Sequence, residues 1–332
     1  MKAMVIHNYG GPEVFELSEI ELPEVKPGYV LVKVLASSVN SIELKIRSGL
    51  IPAITPEFPA VLNADFSGEI VAVGEETFPW QVGDQVFGCG GGVGKIQGAL
   101  AEYMLVDSRL LAHKPQTIDH ATAALYPLVS ITAWEAIREK ARVQHGDTIL
   151  IHGAAGGVGH IAVQLAKELG AIVYGTVLND AQADVVKKLG ADFVIRADLE
   201  KVEDYANKYT ANKGFDIVFD PVGGNNLPKS FKAVKRNGIV CTTNARVVLD
   251  LAIMHTKAIS LNAIYMLIPL IHDVGREKHG QITAEIARMI TAGKLNICID
   301  THQFAFKEIS KAHAHLENDK VLGKISLVNS LN

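Results

Sequence analysis

A glycine-rich turn between a short apolar run and an amphipathic segment is the feature that most constrains this chain. The run Thr148 to Ile151 is rich in branched residues, as is typical of a buried strand. The turn ends at Gly159, and apolar residues then recur at helical spacing up to Gly170. The N–H groups and the dipole at the start of such a helix attract an anion, and only glycine lets the backbone approach it closely. The stretch predicts a pyrophosphate-binding turn, with a plain strand–helix connection as the alternative.

The turn departs from the usual Gly-x-Gly-x-x-Gly pattern, because Ala154 stands in the first glycine position. The residues predicted to contact a cofactor here are Ala154, Ala155, Gly156, Gly157, Val158 and Gly159. Downstream, strands are predicted at 148–151, 172–176, 193–195, 215–219 and 259–263. Helices predicted between them indicate a parallel sheet covered on both faces. Residues 123–266 are therefore predicted to form a Rossmann-type nucleotide-binding domain.

The flanking segments have a different pattern. Residues 1–122 contain short β-type runs punctuated by glycine and proline, which predicts a β-rich, barrel-like domain. Residues 267–332 are predicted to return to that domain, because the predicted strands of the nucleotide fold are complete by Ala263. The predicted fold class is α/β, with a doubly wound parallel sheet inserted into a β-rich domain.

Composition excludes several classes of function. The 332 residues carry a formal net charge of −4, so the chain has no electrostatic footprint for nucleic acid or an anionic membrane. The most apolar later stretch, Ala258 to Ile271, is too short to span a bilayer, and the start lacks the apolar core of a signal peptide. Three widely spaced cysteines fit reduced thiols. We therefore expect a cytoplasmic protein with no nucleic-acid or membrane partner.

Short motifs along nearly the whole chain carry a family resemblance. They include Ser38–Gly49, Asn63–Gly68, Gly98–Tyr103, Thr132–Trp134, Gly190–Asp192, Asp220–Gly224 and the terminal Gly323-Lys324. In order and spacing, these motifs resemble the medium-chain dehydrogenase/reductase superfamily, and within it the zinc-free quinone oxidoreductase group. The resemblance implies a GroES-like catalytic domain, an inserted Rossmann domain, a cofactor cleft between them, and a homodimer.

The same resemblance bears on metal binding. Zinc enzymes of the superfamily hold catalytic zinc with a cysteine, a His–Glu pair and a further cysteine or histidine. Here Asn40 replaces the first cysteine, and Ala64 and Asp65 replace the His–Glu pair. His313 and His315 lie two apart on a predicted helix and so face different sides, and the other histidines are scattered. No metal site is predicted.

The expected absence of zinc determines the predicted chemistry. Without a Lewis acid, hydride transfer favours acceptors that delocalise the incoming charge themselves. The predicted function is an NADPH-dependent, zinc-independent reductase of quinones or α,β-unsaturated carbonyls, acting on a small-molecule substrate. The alternatives are an enoyl-thioester reductase of the polyketide type and a nucleotide-binding structural or regulatory protein with little turnover.

Asn40 and Thr132 are the predicted catalytic residues. By resemblance, Asn40 contacts the nicotinamide and the substrate carbonyl; the alternative is a cap on the helix that starts near Ser41. Thr132 resembles a threonine that contacts the cofactor, and the alternative is an ordinary helix-surface hydroxyl. Glu43 and Lys45 follow the family's acid-x-Lys spacing or form an ion pair on a solvated helix face. Asp65 is interpreted as supporting the site rather than acting as a base.

The second predicted strand of the nucleotide domain has no acid at its tip, although such an acid is typical of NAD-specific folds. This favours NADPH, with NADH possible. Further residues predicted to contact the cofactor are Thr176, Asn179, Val222, Gly223 and Lys324. Asp180 is interpreted as the cap of the next helix, and Arg196 or Lys324 as a source of positive charge for a 2′-phosphate.

Overall fold

The computed structural model describes residues 1–318 and 321–331 and divides the chain into two compact units. The first unit is Met1–Ile131 with Leu267–Asn332, and the second is Thr132–Met266. One division falls between Met266 and Leu267 and the other follows Ile131, while the predicted domain bounds of 1–122, 123–266 and 267–332 stay a prediction. Asp319, Lys320 and Asn332, which belong to the predicted tail segment, lie outside the described residues.

Strands are the main regular elements of residues 1–131. They are β1 (Lys2–Ile6), β2 (Phe15–Glu19), β3 (Tyr29–Val39), β4 (Ala60–Val61), β5 (Asp65–Val73), β6 (Gln85–Cys89), β7 (Tyr103–Asp107) and β8 (Leu111–His113). The helices of this segment are α1 (Ser41–Arg47), α2 (His120–Ala123) and α3 (Pro127–Trp134). The boundary after Ile131 falls inside α3, because this helix begins before the nucleotide-binding fold and continues into it.

The second unit alternates strands and helices. Its strands are β9 (Thr148–Ile151), β10 (Ile172–Val177), β11 (Phe193–Arg196), β12 (Phe215–Asp220), β13 (Val234–Thr242) and β14 (Ser260–Ala263). Its helices are α4 (Gly159–Glu168), α5 (Asp180–Lys188), α6 (Val202–Thr210), α7 (Leu227–Ala233) and α8 (Ala252–Thr256). The strands pair in parallel in the order β11-β10-β9-β12-β13-β14. This is the doubly wound order of a dinucleotide-binding fold, so the predicted Rossmann-type sheet is confirmed.

The chain then returns to the first unit. This part contains α9 (Ile268–His272), α10 (Arg276–Thr291), β15 (Ile299–Ala305), α11 (Ile309–Glu317) and β16 (Lys324–Val328). Among the described residues of this unit, one sheet has the order β15-β16-β3-β5-β6-β8, with β7 also paired to β3, and a smaller sheet has the order β2-β1-β4. The last strand of the chain therefore lies next to β3.

Several elements differ from the sequence prediction, and two of these differences have a clear physical reason. The apolar pattern predicts a helix from Thr283, but helix α10 begins at Arg276; its first turns contain His279 and Gly280, two residue types with modest or poor helix propensity. Strand β13 was not assigned from the sequence, because its first half is polar (Lys235, Arg236, Asn237) and lacks the apolar run of a buried strand. Among residues 1–318 and 321–331, no helix combines the length and apolarity needed to cross a membrane.

Candidate functional site

One edge of the large sheet in the first unit collects polar side chains from four strand ends. In an antiparallel sheet, the end of one strand lies beside the start of its neighbour. Lys324 begins β16, Asn40 follows β3, Asp65 begins β5 and Cys89 ends β6. The pairs Ile325 with Val39 and Asp65 with Cys89 fix this alignment. We call Lys324, Asn40, Glu43 and Asp65 the buried polar cluster.

Lys324 provides the positive charge of the buried polar cluster. Its Nζ donates to Oδ1 of Asn40 and to the carbonyl oxygen of Val39, the latter at 3.1 Å, and lies 3.8 Å from Oδ2 of Asp65. Only 3% of the residue is exposed. The ammonium faces these three oxygens inside the unit, and the predicted cofactor role of Lys324 stays a prediction. Burial lowers the pKa of Lys324, and the charges of Asp65 and Glu43 oppose that shift.

The amide of Asn40 is engaged at both ends. Its Oδ1 accepts from Lys324, while its Nδ2 donates to Oδ2 of Asp65 at 2.9 Å and to Oε1 of Glu43 at 3.1 Å. The predicted donation from this amide to a substrate carbonyl would compete with those bonds. Asn40 also precedes the first turn of α1, where the Glu43 carboxylate accepts from its backbone N–H, as in a capping box.

Glu43 is the member of the cluster that differs most from expectation. The interpretation as a solvated helix face is wrong, because only 1% of the residue is exposed. Besides the two groups of Asn40, its carboxyl group accepts from the backbone N–H of Ala64 at 3.2 Å. Burial raises the pKa of Glu43 to about 7, although the Lys324 charge and the hydrogen bonds from Asn40 act in the opposite direction. Glu43 therefore titrates near neutral pH.

Asp65 links the cluster to neighbouring segments. Its carboxylate accepts from Oγ of Ser38 and from the backbone N–H of Leu128, both at 2.8 Å, besides the bond from Asn40. The side chain is fully buried, and burial raises its pKa against the effect of the Lys324 charge. These three hydrogen bonds come from Ser38, Asn40 and Leu128 of the same unit, as a supporting role for Asp65 would require.

In the second unit, the glycine-rich turn has the form that an anion site requires. The backbone N–H of Ala154 donates to the carbonyl oxygen of Thr176 at 3.0 Å, and that of Gly156 donates to the carbonyl oxygen of Gly153 at 2.9 Å. A Cβ on Gly159 would lie 2.2 Å from the carbonyl oxygen of Gly153, so only glycine fits the first residue of α4. The turn presents the start of a ten-residue helix at the carboxyl end of the sheet.

The tips of β10 and β11 contain Thr176, Asn179 and Arg196, and the structure corrects the predicted cap of α5. The Thr176 hydroxyl is buried and accepts from the Gly153 N–H at 3.1 Å, so it supports the turn rather than pointing towards a ribose. Asn179, not Asp180, caps α5, because Oδ1 of Asn179 accepts from the N–H of Gln182 at 2.9 Å. The carboxylate of Asp180 instead bonds to the guanidinium of Arg196.

The remaining predicted residues lie in different surroundings. Gly223 follows β12, has a φ of 61° and donates its N–H to Oδ1 of Asp220 at 2.8 Å, while the neighbouring Val222 is 52% exposed. The side chain of Val222 is therefore accessible at the carboxyl edge of the sheet. Thr132 lies in α3 and is buried, so it is not an ordinary surface hydroxyl.

Comparison with known proteins gives consistent relationships. The alcohol dehydrogenase GroES-like domain matches residues 26–116, and a family described as zinc-binding dehydrogenase matches residues 189–327. The chain is 32% identical to an NADPH-dependent alkenal/one oxidoreductase from Arabidopsis thaliana over 98% of this chain and 78% of the relative. It is 30% identical to a human quinone oxidoreductase over 95% and 94% of the two chains. The structure of Escherichia coli quinone oxidoreductase complexed with NADPH superimposes with a TM-score of 0.89, at 26% identity, over 99% of this chain and 100% of the other.

Proposed function

This chain belongs to the medium-chain dehydrogenase/reductase superfamily and is an NAD(P)H-dependent oxidoreductase of its quinone oxidoreductase group, and we propose that it reduces quinones or α,β-unsaturated carbonyls with NADPH and without zinc. The observation that carries the proposal is the buried polar cluster. It places an ammonium group beside the residues that replace the zinc ligands of related enzymes.

The donor set does not fit a catalytic zinc ion. Zinc sites in proteins are formed by thiolate, imidazole and carboxylate groups. Here the Asp65 carboxylate faces the Lys324 ammonium, which would repel a divalent cation, and Asn40 offers only an amide. Burial, followed by the charges of Asp65 and Glu43, raises the pKa of the Cys89 thiol well above its usual range. These residues favour chemistry in which the substrate delocalises its own developing charge.

The second unit fits a dinucleotide. When bound, NADPH supplies the hydride. Since Ala154 and Gly156 use their N–H groups inside the turn, we assign the pyrophosphate contacts to the N–H groups of Gly157, Val158 and Gly159. Thr176 holds the turn in place, and Val222 and Gly223 contribute from the end of β12. The role of Thr132 beside the cofactor remains part of this proposal.

The preference for NADPH follows from the tip of β10. Residues 177–179 there are Val, Leu and Asn, so no carboxylate at the tip opposes a 2′-phosphate. Arg196 pairs in register with Val177 on the adjacent strand, and its guanidinium bonds to the carboxylates of Asp180 and Asp198. Asp180 is largely exposed, so a phosphate can compete with it for Arg196.

The buried polar cluster acts on the substrate side of the reaction. Hydride addition to a conjugated carbonyl places negative charge on oxygen before a proton from water completes the reduction. A fixed positive charge in a site that excludes water stabilises such an oxyanion without reorganisation. We assign this charge to Lys324, whose effect we propose reaches the substrate through Asn40, the amide held beside it by Glu43 and Asp65.

A substrate screen with chelator-treated protein tests the proposal. We expect NADPH consumption with a quinone or a short enal, faster than with a saturated aldehyde and unchanged by the chelator. Loss of activity after chelation that Zn²⁺ restores, without any loss of folded protein by circular dichroism, would overturn the zinc-free assignment. Turnover restricted to an enoyl thioester would instead support that alternative. The homodimer expected from the family remains a prediction, which sedimentation analysis of the purified protein tests.

A further inference from the structure

A second group of side chains in the first unit has the composition of a metal site. Asp300 and His302 lie two residues apart on β15 and therefore on the same face of that strand. His315 lies on α11, which packs on the same strand. The distance is 3.0 Å from Oδ1 of Asp300 to Nε2 of His315 and 3.1 Å to Nδ1 of His302. Sequence spacing does not predict this contact, because His302 and His315 belong to different elements.

The spacing of these atoms suits coordination by a small cation. One ligand atom from each of the three residues lies within 4.8 Å of the other two. Bonds of 2.0–2.1 Å in a tetrahedral site place neighbouring ligand atoms about 3.3 Å apart. The two distances from Asp300 are close to that value, so small rotations of the imidazole rings bring the third distance into range. The ring centroids of His302 and His315 are already 4.7 Å apart.

The three side chains differ in their exposure to solvent and in how firmly hydrogen bonds hold them. The Asp300 side chain is 7% exposed and is fixed by a further bond from the backbone N–H of His302 at 2.9 Å. The His315 side chain is 22% exposed and that of His302 is 63% exposed. A cation can therefore enter from solvent on the His302 side and meet a carboxylate that is already oriented.

We propose that Asp300, His302 and His315 bind one divalent transition-metal ion, of the kind exemplified by Zn²⁺, Co²⁺ or Ni²⁺, which ties strand β15 to helix α11. Two imidazoles and one carboxylate suit these ions, whereas Mg²⁺ and Ca²⁺ prefer sites made only of oxygen ligands. Three protein ligands leave a coordination position for water. This site uses none of the residues of the buried polar cluster and is independent of the proposed function.

Calorimetric titration of tag-free, chelator-treated protein with Zn²⁺ tests the proposal. We expect one ion per chain, and at least tenfold weaker binding in His302→Ala and in His315→Ala. The matched control is His7→Ala, an exposed histidine whose Nε2 lies 4.0 Å from a carboxylate oxygen of Glu16. This variant should bind like the wild type.

A second measurement keeps the result independent of folding. The thermal midpoint should rise with added Zn²⁺ in the wild type and in His7→Ala, but not in His302→Ala, whose exposed side chain can be removed without disturbing the core. The proposal is overturned if the wild type binds no ion. It is equally overturned if the affinity is unchanged in both histidine variants, because the ion then lies elsewhere.

Discussion

Lys324 donates a hydrogen bond from its Nζ to Oδ1 of Asn40, a residue 284 positions earlier in the chain. The contact exists because β16 pairs antiparallel with β3, which places the start of the last strand beside the residue that follows β3. It joins a cation to the amide that, by the family resemblance, stands where zinc enzymes have a cysteine. The relation between the two residues therefore links the end of the chain to the proposed chemistry.

Replacing Lys324 with Met tests that link. Removing one partner leaves Asp65 as an uncompensated buried charge, so we expect a loss of about 3–5 kcal/mol in the free energy of unfolding. We also expect kcat to fall by about 100-fold, the scale measured for removal of one preorganised oxyanion partner. Chemical denaturation and steady-state kinetics with a quinone provide the two values.

Two further variants separate the effect of Lys324→Met on the free energy of unfolding from its effect on kcat. Lys311→Met on α11 removes a lysine whose side chain is 72% exposed, and should change neither value. The double variant Lys324→Met/Asp65→Asn removes both charges and should recover part of the lost stability without recovering kcat. Full recovery of kcat in the double variant would show that the ammonium only balances Asp65.

The buried Glu43 carboxyl group predicts a pH dependence of stability. Its pKa in the folded state is about 7, against 4.5 for an ordinary glutamate. Between these values the folded protein holds a proton that the unfolded chain has released, so the Glu43 contribution to stability is present below pH 4.5 and falls as the pH rises to about 7. The loss is about 3 kcal/mol, since each pKa unit corresponds to about 1.4 kcal/mol.

Urea denaturation of wild type and Glu43→Gln across pH 5 to 8 measures this effect. As the pH rises from 5 to 8, the unfolding free energy of the wild type should fall relative to that of Glu43→Gln. A pH-independent cost of the substitution does not alter this change. Glu285→Gln, at a half-exposed position on α10, serves as the control and should follow the wild type. Parallel curves for wild type and Glu43→Gln would mean that Glu43 is ionised throughout.

The sequence was sufficient for the parts of the fold that depend on local pattern. The glycine turn, the parallel strands around it other than β13, and the β-rich flanks all follow from runs of adjacent residues. Glu43 could not be placed in this way, because its three-residue spacing from Asn40 fits both a surface helix and a buried cap. Its burial depends on β5 and β16, whose Asp65 and Lys324 are far away in the chain. Asn179 and Asp180 are both good caps, and only the extended backbone at Asn179 decides between them.

Two glycines of the turn should respond differently to alanine. At Gly159 the added Cβ would lie 2.2 Å from a backbone oxygen, so Gly159→Ala should lower the thermal midpoint and abolish NADPH binding. At Gly156 the nearest atom lies 3.2 Å away and the residue is exposed, so the apo fold should tolerate Gly156→Ala. The new methyl group faces the pyrophosphate that we assign to this turn, so NADPH affinity should still fall at least tenfold. Fluorescence titration and thermal unfolding check both variants, and unchanged affinity in Gly156→Ala would contradict the assignment.

Arg196 is the predicted determinant of cofactor preference. Arg196→Gln should raise the KM for NADPH by about tenfold, because it removes a charged hydrogen bond to the 2′-phosphate worth about 1.4 kcal/mol. The KM for NADH should not change, because NADH has no phosphate at that position. The matched variant Asp180→Asn removes a competing carboxylate from the same guanidinium and should lower the KM for NADPH or leave it unchanged. If Arg196→Gln raises both KM values equally, Arg196 acts on the fold through Asp198, whose carboxylate also accepts from its guanidinium, and the 2′-phosphate is held elsewhere.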